Sequence, residues 1–130
     1  MIFLFDENIP RQVVRSLQAF NRPSSLEFVH ALDHFPAGTP DIQLFGELAK
    51  RGWLLVTQDR RMSKNRVERA AILNSGIGVF VLTGSAERSL IQLGSFVLSR
   101  IEEIMGLAQG TRPPFIFGVT DRGKFNRLDT

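Results

Sequence analysis

Residues 3–8 read Phe-Leu-Phe-Asp-Glu-Asn, an apolar run that stops on two adjacent carboxylates. An unbroken apolar run of this length, with no polar alternation, marks a strand buried on both faces. Two readings account for the abrupt stop. In the first, a strand gives way to a helix: Asn8 is a good N-cap, Asp6 and Glu7 lie where a helix dipole favours negative charge, and Pro10 suits a first turn. In the second, Asp6 is a metal ligand at a strand end. The rest of the chain weighs between them.

The pattern recurs downstream. Trp53–Thr57 is a second buried run, with Trp53 read as core, and it ends at Gln58-Asp59; Val79–Leu82 is another, and residues 26–29 form a weaker one. Between them apolar residues step by three or four, as on helices laid against a sheet. One helix spans about residues 9 to 19 (Ile9, Val13, Val14, Leu17) and ends in the turn chemistry of residues 21–25. After the loop of residues 35–40, another starts at Asp41 and closes at Lys50-Arg51-Gly52. A short one ends near residues 74–76, and a long one opens at Ser85-Ala86-Glu87 and breaks at Gly110–Pro114. Phe115, Phe117 and Val119 then alternate, and the chain turns at Asp121-Arg122-Gly123 before Phe125 and Leu128, a last strand or hairpin. Strands separated by helices predict an α/β fold: a mostly parallel central sheet with right-handed connections and helices on both faces.

At 130 residues the chain has the length of one domain, taken here as 1–130, and it can bury a core without staples. With no cysteine it has no disulfide, thiolate metal site or cysteine nucleophile. Its two histidines, His30 and His34, are four apart, but a transition-metal site lacks a third nitrogen ligand. Eleven phenylalanines and no tyrosine favour core over a base-stacking surface, Phe125 being the exception considered. The opening residues lack a basic leader and no later run reaches membrane-spanning length, so the expectation is a soluble cytoplasmic protein with no membrane partner. A net charge of +3 and a pI of about 10.2 permit a polyanionic partner without requiring one.

In an open parallel sheet, ligands bind beyond the carboxyl ends of the strands. Asp6 follows the first strand and Asp59 the third, so they converge if those strands are neighbours. Asp41, at a helix start, is a third candidate, provided the loop before it delivers it to that edge. Three acids in one cleft repel each other, and a hard divalent cation such as Mg2+ or Mn2+ relieves that repulsion.

FLFDENIPRQVVRSL at the start, the Pro40-Asp41 pair at a helix start, and LLVTQD at residues 54–59 together resemble a PIN-like domain, the fold of the ribonuclease toxins of VapC-type toxin-antitoxin pairs. The resemblance covers about the first half of the chain by motif. It implies a three-layer PIN-like fold and an endoribonuclease dependent on Mg2+ or Mn2+, with Asp6, Asp41 and Asp59 as metal-binding catalytic acids. It also implies Glu7, Asn8 and Thr57 as supporting residues, a cognate antitoxin as partner, RNA as substrate, and a homodimer. Two features depart from the family pattern. No helix fits between residues 20 and 40 to carry a further acid, for which Glu7 and Glu47 are candidates, and Arg60-Arg61-Met62 replaces an aromatic after Asp59.

Arg60, Arg61, Lys64, Arg66 and Arg69 place five positive charges within ten residues of Asp59. A solvated helix face is the plain explanation; contact with RNA phosphates, which positions a backbone without reading sequence, is the functional one. Two other functions fit the motifs. A haloacid-dehalogenase-like phosphatase also uses an aspartate after its first strand, but it wants a second acid where Asn8 stands. A catalytically inactive PIN-like module would keep the acids only as caps and bind a protein partner.

Overall fold

A computed structural model describes residues 1–20, 26–84 and 87–129, with the side chain of Ser63 outside the description. Five strands run parallel: β1 (Ile2–Phe5), β2 (Glu27–His30), β3 (Leu54–Thr57), β4 (Gly78–Leu82) and β5 (Phe115–Val119). A sixth, β6 (Asn126–Arg127), pairs antiparallel with β5. The order across the sheet is β2-β1-β3-β4-β5-β6, so β1 and β3 are neighbours, with Phe5 opposite Val56. The mostly parallel α/β fold read from the sequence is the one found.

Alternation along each strand sorts side chains onto two faces, although both are apolar. Phe3, Phe5, Leu54, Val56, Phe80, Phe115 and Phe117 point to one face, where α1 (Arg11–Phe20) and α5 (Leu90–Gly110) cover them. Leu4, Leu55, Val79, Val81 and Ile116 point to the other, beneath α2 (Asp41–Arg51) and α4 (Arg66–Ser75). Gly78 is where the first face needs no side chain at all: a Cβ there would strike the Phe115 ring and come within 2.7 Å of Leu54 Cδ2.

Several boundaries differ from the sequence reading for identifiable reasons. The first helix starts at Arg11, and Asn8 lies in the preceding turn, too early to cap it. Its carbonyl instead accepts Gln58 Nε2 at 3.0 Å, tying the loops after β1 and β3 together. The long helix starts at Leu90, because Ser89 and Gln92 form a reciprocal capping box. Of the expected Ser85-Ala86-Glu87 start, Glu87 precedes the helix and the other two lie outside the described residues, as does the turn at 21–25. Trp53 precedes β3 and is half-buried, with the His34 ring 5.1 Å away edge-on and the Arg51 guanidinium over its face. Phe125 packs partly buried beneath the Arg100 guanidinium, whereas Phe20 is 76% exposed.

The connections are not all of one hand. The chain steps from β1 to β2 in one direction with α1 on the first face, and from β4 to β5 in the opposite direction with α5 on that same face. Those two crossovers therefore have opposite hands. The β2–β3 and β3–β4 crossovers, with their helices on the second face, share the hand of the first. The α5 crossover is the exception to the single hand expected of such connections, and it leaves the second face above β1 and β3 to α2 and α4. Among the described residues no helix is long and apolar enough to cross a membrane.

Candidate metal centre

A helix that joins two parallel strands begins at the edge where the first strand ends, so the carboxyl edge of the sheet collects both strand ends and helix starts. Asp6 follows β1 and Asp59 follows β3; Asp41 is the first residue of α2. Glu68 stands in the first turn of α4, whose N-cap Asn65 accepts the backbone N–H groups of Val67 at 2.8 Å and Glu68 at 3.3 Å. Because α2 packs on α4, two helix N-termini lie side by side with an acid in each first turn. Carboxylate oxygens of Asp41, Asp59 and Glu68 all lie within 4.8 Å of one another.

Asp6 joins from beneath. Alternation turns it and Thr57 to the α2/α4 face, and the Thr57 hydroxyl donates to Asp6 Oδ2 at 3.0 Å. The same hydroxyl accepts the Asp59 backbone N–H at 3.0 Å, so one oxygen sets the relative position of two acids. The Glu7 N–H donates to Asp6 Oδ1 at 2.9 Å. A cleft of about 30 Å³, lined by Asp6, Asp41, Phe35 and Thr39 among others, separates Asp6 from Asp41. That is room for a water or a small cation.

Charge is crowded here. Burial pushes the Asp6 carboxyl above its ordinary pKa, and nearby Asp41 and Glu7 add to the rise against the lowering bonds from Thr57 and Glu7 N–H. Burial likewise raises Asp41, reinforced by Asp59, and it raises Glu68, reinforced by Asp41 and Asp59. Of these four acids Asp59 alone is lowered, chiefly by the side-chain hydrogen bonds of Arg61. The Arg61 guanidinium in turn is held still more firmly protonated by Asp59.

The structure brings Asp41 and Asp59 together and sets Asp6 against Thr57 next to them. Neither candidate for the further acid is part of the Asp41–Asp59–Glu68 cluster, although Glu7 lines the cleft beside Asp6 and Asp41. Glu7 accepts the Gly38 N–H at 3.1 Å, and Glu47 pairs with Lys50 at 3.4 Å on α2. The further acid near Asp41 and Asp59 is Glu68, which sequence reading passed over inside a basic run; its signal was the Asn65-x-x-Glu68 capping spacing. Of the basic residues, Lys64 and Arg66 are exposed on the segment beside the acids, whereas Arg61 is committed to Asp59. The histidine pair is not a metal site. His30 is buried, with Nε2 2.6 Å from the Ile9 carbonyl and Nδ1 accepting the Leu32 N–H, and the His34 ring faces Trp53.

The donor set fits a hard divalent cation. Its oxygens come from separate elements, and Glu68 Oε2 is a buried oxygen with no hydrogen-bond partner among the described residues, an arrangement that a coordinated cation satisfies.

A mostly parallel sheet whose strand ends and helix starts gather carboxylates at one edge defines an α/β protein of the carboxylate-site kind. The family model described as a PIN-like domain matches residues 1–84, and the chain belongs to that family. Members of the family are commonly nucleases and typically depend on divalent metal. No curated protein and no solved structure matches the chain.

Proposed function

We propose that the protein is a metal-dependent endoribonuclease, acting as the toxin of a VapBC-type toxin-antitoxin pair and held in check by a cognate antitoxin protein. The observation that carries the nuclease reading is the convergence of Asp41, Asp59 and Glu68 beside Asp6, with an unpartnered Glu68 oxygen. Asp41, Asp59 and Glu68 would hold Mg2+ or Mn2+. Such an ion supplies positive charge against a phosphodiester and a water of lowered pKa.

The remaining chemistry belongs to the chain itself. Asp6, at the cleft floor with its Oδ2 bonded to Thr57, would add a fourth carboxylate to that ion from the side of the cleft it shares with Asp41, and the Thr57 hydroxyl ties it to the Asp59 loop. Lys64 and Arg66, exposed on the segment after Asp59, would contact RNA phosphates and hold the backbone at the cleft, with Arg60 adjoining them. The phosphatase alternative loses ground because both oxygens of Asp6 accept hydrogen bonds and its residue is only 9% exposed, a poor setting for a nucleophile.

Incubating a mixed structured RNA with the purified protein and Mg2+ or Mn2+, against chelator and against Asp6→Asn and Asp59→Asn, tests this reading. Cleavage that requires metal and disappears in both variants is expected. Intact RNA with well-folded wild type under every metal would instead favour an inactive PIN-like module that binds a protein partner. The Arg61 clamp on Asp59 is the observation on that side.

A further inference from the structure

A cation of the chain already sits on the acidic site. The Arg61 guanidinium forks Asp59, with Nη2 2.7 Å from Oδ2 and Nε 3.1 Å from Oδ1 and 3.2 Å from Oδ2. The backbone N–H of Arg61 adds a fourth contact, to Oδ1 at 3.0 Å. A carboxylate offers about four lone-pair sites, and three N–H groups of Arg61, the Nε one shared between both oxygens, occupy most of them on Asp59. A divalent ion that uses Asp59 competes with the fork.

Displacement is mechanically easy. The Arg61 side chain is 71% exposed against 14% for Asp59, so the arginine can leave while the aspartate stays. Arg61 opens the one-turn helix α3 (Arg61–Lys64), and rotation of its side chain moves the guanidinium outward without moving that backbone. The planar fork that fits a carboxylate also fits a phosphate.

We propose that Arg61 is an internal counter-cation that occupies Asp59 in the metal-free protein and transfers to a backbone phosphate when a divalent cation takes Asp59. Metal and polynucleotide then bind cooperatively, because each favours the same released state of Arg61. This rests on the nuclease reading above, and it makes one arginine both the brake on the site and a contact to its substrate.

Calorimetric titration of the full chain with Mn2+, for wild type, Arg61→Ala and Arg61→Lys, tests the exchange. Arg61→Ala should bind Mn2+ about tenfold more tightly, within the usual range of such couplings. Arg61→Lys keeps the charge but loses the fork, and it should also bind more tightly than wild type. A single-stranded oligodeoxynucleotide, used as a backbone probe, should tighten Mn2+ binding to wild type and not to Arg61→Ala.

Equal Mn2+ affinity in wild type and Arg61→Ala would overturn the exchange while leaving the metal site standing. A lysine variant identical to wild type beside a tighter alanine variant would also overturn it, since bulk charge alone would then explain the effect. Failure of all three proteins to bind Mn2+ would remove the metal reading together with the exchange.

Discussion

The two faces of the sheet are built from the same strands and do different work. On the α1/α5 face seven buried phenylalanines meet, with the Phe80 ring centroid 5.4 Å from Phe115 and 5.8 Å from Phe117. On the α2/α4 face the strands offer leucine, isoleucine and valine, and the carboxylates gather at its upper edge. In a sheet buried on both sides, alternation here places every buried strand phenylalanine on one face, among leucine and valine, and leaves the strand core of the other face purely aliphatic. The division becomes functional at the ends of β1 and β3, where it decides which face receives Asp6 and Thr57.

The difference can be broken most sharply from the acidic side. Asp41→Asn and Asp59→Asn should each lower metal-dependent RNA cleavage about a thousandfold, equivalent to several kcal/mol of lost charge stabilisation, as read from initial rates at fixed Mn2+. On the aromatic side Phe80→Ala should cost about 4 kcal/mol of unfolding free energy in urea while leaving Mn2+ affinity unchanged in the protein that remains folded. A variant that lost both together would show that the two faces are not separable.

Smaller effects sharpen the contrast. Glu68→Gln removes a partly buried charge held against two other acids, and it should raise the metal-free melting temperature by about 4 °C, the shift that ~1 kcal/mol gives a domain of this size. The same substitution should weaken Mn2+ binding, so stability and affinity move in opposite directions.

The pH dependence follows from the directions of the shifts. Asp6, Asp41 and Glu68 are raised, so the folded protein keeps protons that the unfolded chain releases. Their stabilising contribution is full below about pH 4 and is lost as pH rises through their folded pKa values. Asp59 is lowered and works the other way, contributing above about pH 4 and losing that contribution as pH falls. Without metal, the site's contribution should therefore peak near pH 4, and saturating Mn2+ should remove the decline above it; melting curves of wild type and Asp41→Asn/Glu68→Gln across pH check this. Smallest of all, Ser89→Ala should cost about 1 kcal/mol by deleting the α5 cap, with no effect on metal affinity.

Much of this was legible in the chain. Buried runs fixed the strands, and the residues just beyond two of them, Asp6 and Asp59, with the helix opener Asp41, were found by asking where strand ends and helix starts meet. Glu68 was not found because the charge of Arg66 and Arg69 around it dominates that stretch, and its capping spacing to Asn65 is a local signal with no reference to Asp41. The Arg61 fork escaped for a related reason: counting positive charges says nothing about which of them face inward to an acid. The hand of the α5 crossover was out of reach, because helical periodicity says which stripe is buried and not which face of the sheet buries it.

The two borders of the sheet restrict how this molecule can assemble. One border is β2, four residues long and opening on the exposed Glu27; the other is β6, two exposed residues beside an Arg127–Asp129 ion pair. Short, charged borders are poor templates for a further strand. Among the described residues, the sheet therefore offers a second copy no long uncharged edge along which to extend it.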